Sequence, residues 1–210
     1  MSAEANQHSE SKPLVFHTPR LQLAELTADG LIAAGLTAAS AAKVGADELL
    51  SRILALFTPA VIVHLPPYFA KVQDLASAKA WLERMLVESR LLTVTLIDDL
   101  GKTKSSPLIG FLFVYEQARE ETQAPGYDAH LGYLLGEEYW GQGLASELLT
   151  GLLSCAHQNK DSLGWQRLVA GVGTDNPASS RVLEKAGFRL CSDIDAEAAP
   201  GGLFYYYSLS

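Results

Sequence analysis

Apolar residues along the chain switch between alternation and three-to-four-residue steps, and that switch separates strands from helices. Residues 18–26 set Leu21, Leu23 and Leu26 among polar neighbours and predict a first strand. An alanine-rich run to about Ala42, which Thr27 or Asp29 is placed to cap, and residues 46–57 predict two helices. Pro59, Pro66 and Pro67 interrupt the pattern. Asp74 or Ser77 opens another helix, with Ala78, Trp81, Leu82, Met85 and Leu86 on one face. Two β-rich runs, 91–97 and 108–115, flank a turn segment containing Gly101 and Pro107 and predict a hairpin; residues 116–128 follow as a polar loop.

The second half is organised around residues 129–149. A short apolar run, 130–135, predicts a buried strand, and residues 136–140 a polar turn. Gly141-Gln142-Gly143 then leads into a helix whose apolar face is Ala145, Leu148, Leu149, Leu152, Leu153 and Ala156. Residues 166–173 predict another strand. Asn176 is placed as an N-cap, Pro177 as the first helical residue and Gly187 as the terminator of a further helix. Residues 188–194 and 202–209 are strand-like. The layout is mixed α/β: an antiparallel meander, then strand–helix–strand–helix–strand.

A strand, a glycine turn and a helix N-terminus in succession make an anion site. The first helical turn has unpaired N–H groups and the positive end of the dipole, and Gly141 and Gly143 leave the main chain open to a phosphate. The amides of Gly141, Gln142, Gly143, Leu144, Ala145 and Ser146 are the candidates to grip a pyrophosphate; a plain tight turn is the competing reading.

Length and composition fit one domain: residues 13–210 as a single unit behind a polar tail, 1–12, that lacks the apolar stretch of a secretory signal. Hydrophobic residues make up 48% of the chain, yet no apolar run approaches the ~18 residues of a membrane span. The net charge of −8 argues against a nucleic-acid partner. Cys155 and Cys191 lack metal-ligand spacing, so no metal is expected, and free cysteines suit a cytoplasmic setting.

Tyr139-Trp-Gly-Gln-Gly-Leu-Ala145 after a Gly-Tyr-x-Leu strand, with Asn176-x-x-Ser179-x-x-Val-Leu-Glu-Lys-x-Gly-Phe188, resembles the GNAT (Gcn5-related N-acetyltransferase) family. Thr18-Pro-Arg-Leu-x-Leu23 and Ile109-Gly-Phe111 add to the likeness, which is greatest to the ribosomal-protein N-terminal acetyltransferase branch. The resemblance implies an α/β fold of α+β type. Its central sheet would be mixed and mostly antiparallel, of about seven strands flanked by helices. A parallel strand pair would splay at the acetyl-CoA site. It further implies acetyl transfer from acetyl-CoA to a primary amine by direct attack in a ternary complex, most simply the α-amine of a protein or peptide. Tyr133, Leu134 and Leu135 would offer backbone to pantetheine and acetyl group, with an N–H near Leu134 or Leu135 holding the oxyanion. Gly141 to Ser146 would bind the pyrophosphate, and Asn176 would reach the pantetheine arm or a water beside it, or serve purely as a cap.

Two family positions differ. Where many members carry a tyrosine as acid for the thiolate, this chain has Leu183; where many carry a glutamate, it has Gly171. The resemblance then makes Ser179, with Ser180 beside it, the candidate acid. His130 becomes the candidate base, since an unperturbed imidazole (pKa ~6.5) is mostly neutral at pH 7. Glu137 and Glu138 acting through water, or one of Tyr205, Tyr206 and Tyr207, are alternatives. A site poor in bases suits an α-amine: at pKa ~7.8 over a tenth is neutral at pH 7, against about 1 part in 2,500 of a lysine. Small amines (an amino acid, a polyamine or an antibiotic) and a module that holds acyl-CoA without turnover are the rival readings, and monomer and homodimer are both open. Residues 42–68 and 116–128 are expected around the acceptor mouth.

Overall fold

A computed structural model describes residues 12–27, 44–97, 107–119, 125–191 and 202–209. The strands are β1 (Val15–His17), β2 (Leu21–Leu26), β3 (Arg90–Leu96), β4 (Leu108–Ala118), β5 (Tyr127–Leu135), β6 (Trp165–Gly173), β7 (Arg189–Leu190) and β8 (Gly202–Ser208). The helices are α1 (Val44–Leu56), α2 (Pro59–Ile62), α3 (Leu75–Glu88), α4 (Leu144–Gln158), α5 (Lys160–Leu163) and α6 (Pro177–Lys185). All strands join one eight-stranded sheet in the order β1-β2-β3-β4-β5-β6-β8-β7. Every pairing is antiparallel except β5 with β6.

This is the mixed, mostly antiparallel sheet with one parallel pair that the sequence leads one to expect, with one more strand. Residues 15–26 form two strands rather than one. Thr18 closes the turn between them, donating its N–H to Leu21 O at 2.8 Å and accepting from Leu21 N–H at 3.0 Å. The proline segment also differs from expectation. Pro59 begins α2, capped by the Thr58 hydroxyl, and Pro67 begins a 3-10 turn. A ring that fixes φ and lacks an N–H suits a first helical turn as well as it breaks an interior. Asp74 opens α3, and Ser77 is its third residue in a reciprocal capping box. The alanine-rich run, the Asp29 cap, Gly101 and residues 192–194 lie outside the described residues.

The sheet carries a core on each face because its residues alternate. On one face Leu23, Leu92, Leu112, Leu131 and Leu135 pack against Leu148, Leu149 and Leu152 of α4 and Leu183 of α6. On the other, Leu91, Phe111 and Leu134 pack against Ile53 of α1 and Trp81 of α3. Trp81 stands edge-on to Phe57 and Phe111, with ring centroids 4.9 and 5.5 Å away, an arrangement that favours aromatic quadrupoles.

Charges are buried at the edge of the sheet where β2 ends and β3 begins. Arg90 donates to Glu25 through Nε at 3.0 Å and Nη2 at 2.7 Å, and through Nη1 to Glu116 at 3.3 Å. Glu25 also accepts the Leu14 N–H at 2.7 Å, and Glu116 the Trp165 indole N–H at 2.7 Å. Four strands and the chain leading into β1 are thereby tied together. Removing one partner leaves a buried charge uncompensated. Glu25→Ala is expected to lower unfolding free energy by about 3–5 kcal/mol in urea titrations, and the double change Glu25→Leu, Arg90→Met by much less.

Candidate active site

The parallel pair holds only from Tyr127 beside Trp165 to Leu131 beside Ala170. Beyond it, β5 stays with β4 as far as Leu135 and β6 stays with β8 as far as Gly173, so the strands part inside the sheet. Two hydrogen bonds fix which backbone groups face the gap. Gly136 donates to Ile109 O on the β4 side at 2.8 Å, and Tyr127 donates to Gly164 O on the β6 side at 2.9 Å. Alternation then turns Gly132 and Leu134 toward β4, and Tyr133 and Leu135 toward the gap. Of the two amides suggested for an oxyanion, that of Leu135 faces the opening. The Leu134 amide turns to β4 and its side chain lies in the second core. The Leu135 carbonyl accepts the Trp140 indole N–H at 2.8 Å, so one gap-facing acceptor is already satisfied.

A 3-10 turn, Glu137–Tyr139, and two glycines connect β5 to α4. Gly141 (φ 71°) and Gly143 (φ 77°) are left-handed, a conformation that costs a Cβ-bearing residue about 1–2 kcal/mol. A side chain at Gly141 would meet open space, so flexibility of the backbone rather than crowding requires glycine there. No described residue accepts a hydrogen bond from the amides of Gly141, Gln142, Gly143, Leu144, Ala145 or Ser146. Three of these donors, on Leu144, Ala145 and Ser146, are the open N–H groups of the first turn of a fifteen-residue helix, and the other three lie on the turn that leads into it. The Gln142 side chain turns back instead, donating to Glu138 O at 2.8 Å.

A latch not foreseen from the sequence holds this turn. Glu147, in the first turns of α4, accepts the Thr18 hydroxyl at 2.6 Å, the Arg20 N–H at 2.8 Å and the Arg20 Nε–H at 2.7 Å. Arg20 also donates through Nη1 to Gln142 O at 3.0 Å, between the two glycines. Burial acts to raise the Glu147 pKa, but the bonds from Thr18 and Arg20 hold it below the ordinary carboxylate range.

Across the gap, Asn176 caps α6: its Oδ1 accepts the Ser179 N–H at 3.1 Å, so the capping role is real. Ser179 is half-buried in that first turn, and its hydroxyl neighbours the Tyr133 phenol. Leu183 is 1% exposed inside the first core and carries no chemistry. Gly171 faces outward, and a Cβ there would touch the Phe204 ring at 3.4 Å. Two of the three C-terminal tyrosines are engaged elsewhere: Tyr205 donates to Glu184 at 3.3 Å, and Tyr207 packs between Phe188 and His157.

His130 lies one pair short of the parting, opposite Val169, with its ring 6.2 Å from that of Tyr115. Burial pushes its pKa below the usual 6.5, helped by Arg167 and opposed by Asp128. By alternation its side chain shares the face of Leu134, whereas Tyr133 packs with the core of α4 and α6. The candidate base and Ser179 are therefore on opposite faces. Glu137 and Glu138 are exposed on the turn, and Glu137 meets the Thr58 hydroxyl at 3.5 Å. A second pair crosses the mouth: His64 Nδ1 lies 3.5 Å from Asp175, joining the segment after α2 to the turn before α6.

Among the described residues, no cluster of three or more metal-ligating side chains occurs and no helix is long and apolar enough to cross a membrane. A family model described as an acetyltransferase (GNAT) domain matches residues 45–189. An uncharacterized N-acetyltransferase of Bacillus subtilis (strain 168), YoaA, is 41% identical over 90 residues, 43% of this chain and 46% of that protein. The match thus spans just under half of this relative's length. Two solved structures share the fold. RimL, a ribosomal L7/L12 alpha-N-protein acetyltransferase in complex with coenzyme A, is 16% identical with a TM-score of 0.63, covering 93% of this chain and 98% of that one. The microcin C7 self immunity acetyltransferase MccE, in complex with acetyl-CoA and AMP, is 17% identical with a TM-score of 0.58, covering 90% and 93%.

The turn's geometry sets an expected outcome for Gly143→Glu. A carboxylate among the six amides should weaken coenzyme A binding at least tenfold by calorimetry. The left-handed strain should cost stability about 1–2 kcal/mol without unfolding the chain. Undiminished affinity in the folded variant places the anion site elsewhere.

Proposed function

Since the chain belongs to the GNAT acetyltransferases, we propose that it transfers the acetyl group of acetyl-CoA to a primary amine, by direct attack in a ternary complex. The observation that carries this reading is the alignment of two features along β5: a strand edge opened inside the sheet, and six unpaired amides at its outer end. The amides grip the pyrophosphate. An extended pantetheine arm runs back along the open edge, against the backbone of Leu135 and Tyr133 and past Asn176. From Gly136 to Tyr133 that edge is three residues, roughly 10 Å. The thioester comes to rest near Tyr133 and the Leu135 N–H stabilises its oxyanion.

We assign the acceptor to the α-amine of a protein or peptide. The support is chemical. Position 171 has no carboxylate, and His130, held neutral by burial, is a weak base on the amine's side of the sheet. Positioning then supplies most of the acceleration, since oriented groups reach effective molarities of about 10⁵ M or more. An amine that is already partly neutral needs little more.

Thiol release from acetyl-CoA should depend on added amine, and kcat/KM should favour peptides with free α-amines at least tenfold over N-blocked peptides whose only amine is lysine. A preference for lysine or for polyamines would move the acceptor assignment, and tight binding without release from any amine would favour an acyl-CoA-holding module. If His130 is the base, the acid limb of kcat/KM should have its midpoint below 6.5, because its depressed pKa keeps the imidazole unprotonated to lower pH. That limb should vanish in His130→Gln; an unchanged profile assigns it to another group.

A further inference from the structure

We propose that Tyr133 is the proton donor to the departing coenzyme A thiolate, and that the Ser179 hydroxyl is the path by which its proton is restored. The proposal rests on the acetyl-transfer reading above.

Tyr133 is the first residue beyond the last parallel pair whose backbone faces the gap. Its ring packs against the core beneath α4 and α6. The hydroxyl is buried, yet it closes no hydrogen bond with any described residue. Buried polar groups are nearly always satisfied, so a phenol oxygen left open on a residue that borders the parted strands calls for an explanation. Its polar neighbour is Ser179, in the first turn of the helix across the gap.

Other hydroxyl groups fit the task less well. Tyr205 already donates to Glu184, and Tyr207 is wedged between Phe188 and His157. Ser179 is an alcohol, a far weaker acid than a phenol, and is better suited to passing a proton than to originating one. Burial raises the Tyr133 phenol above its ordinary pKa, with Ser179 opposing. The phenol is therefore fully protonated throughout the working range. The same desolvation raises the proton affinity of a thiolate formed beside it, so donor and acceptor shift together.

The step balances. The amine nitrogen bonds to the thioester carbon, and the tetrahedral intermediate collapses with cleavage of the C–S bond. Sulfur leaves with that electron pair and takes the Tyr133 proton, becoming a free thiol. The new amide nitrogen loses its surplus proton to base or solvent, and solvent returns one to the tyrosinate through Ser179. Net, one amine proton ends on sulfur.

Tyr133→Phe deletes only the oxygen. The variant should stay folded and should bind coenzyme A within about twofold. Its kcat should fall about 10²-fold, the scale of a general acid. Ser179→Ala should lower kcat less, and the double variant should match Tyr133→Phe, since the two act as one relay. A 3-fluorotyrosine placed at 133, equal in shape but more acidic, should move the basic limb of kcat to lower pH. Tyr133→Phe with kcat within twofold of wild type, or an unmoved basic limb in the fluorotyrosine protein, overturns the assignment while leaving acetyl transfer standing. Absence of amine-dependent thiol release from the wild type defeats the acetyl-transfer reading and this proposal with it.

Discussion

The parting of β5 from β6 after Leu131 and Ala170 is the constraint on which the molecule turns. Unpaired strand edges inside a sheet leave backbone donors and acceptors without partners, and folded chains rarely tolerate this. Here each strand keeps its other neighbour: β5 holds β4 to Leu135 and β6 holds β8 to Gly173. Neither strand depends on the lost pairing for its position. The Trp140 indole satisfies the Leu135 carbonyl, and the remaining open groups of Tyr133 and Leu135 become the edge on which an extended ligand can add as a strand would.

An open edge is useful only if something fixes the ligand's far end. In the proposed reading that falls to the glycine turn, and the turn is itself held from the N-terminal hairpin. Arg20 reaches the carbonyl between the two glycines while its own N–H and Nε–H, with the Thr18 hydroxyl, fill the Glu147 carboxylate. One carboxylate near the start of α4 thereby ties the glycine turn to the N-terminal hairpin through Arg20. It also sits where a negative charge suits the helix dipole without occupying the anion site itself.

The parts of this arrangement that are contiguous in sequence were legible, and those assembled across it were not. Residues 130–149 carry strand, turn and helix side by side, so the glycine turn between β5 and α4 could be read from local pattern. Asn176, Pro177 and Gly187 likewise declare a helix from start to stop. By contrast, Arg20 with Glu147, His64 with Asp175 and Tyr133 with Ser179 meet only once the sheet has formed. Nothing in local pattern marks them. The first strand of the sheet escaped because three residues are too few to show alternation. The start of β5 resembled loop because it contains Asp128, whose burial makes sense only beside Arg119 and Arg167. Tyr133 was assigned its backbone alone; that its hydroxyl would be buried and open depends on where α6 lands.

The two faces of the sheet divide the chemistry. In the proposed reaction the amine adds to one face of the thioester carbonyl, and sulfur leaves from the tetrahedral intermediate that results. The face of α4 and α6 carries Tyr133 and Ser179, the groups proposed to serve the sulfur. The face of α1 and α3 carries His130, along with the segment after α2 that His64 ties to Asp175. A sheet with a core on each face, opened at one pair of strands, therefore sets the proposed acid and the candidate base on different sides of the opening. The strict alternation of β5 that buries Leu131 and Leu134 on opposite faces also sends Tyr133 and His130 to opposite faces. Moving either to its neighbouring position would send its side chain to the other face, so the period of the strand decides which group each side of the opening carries.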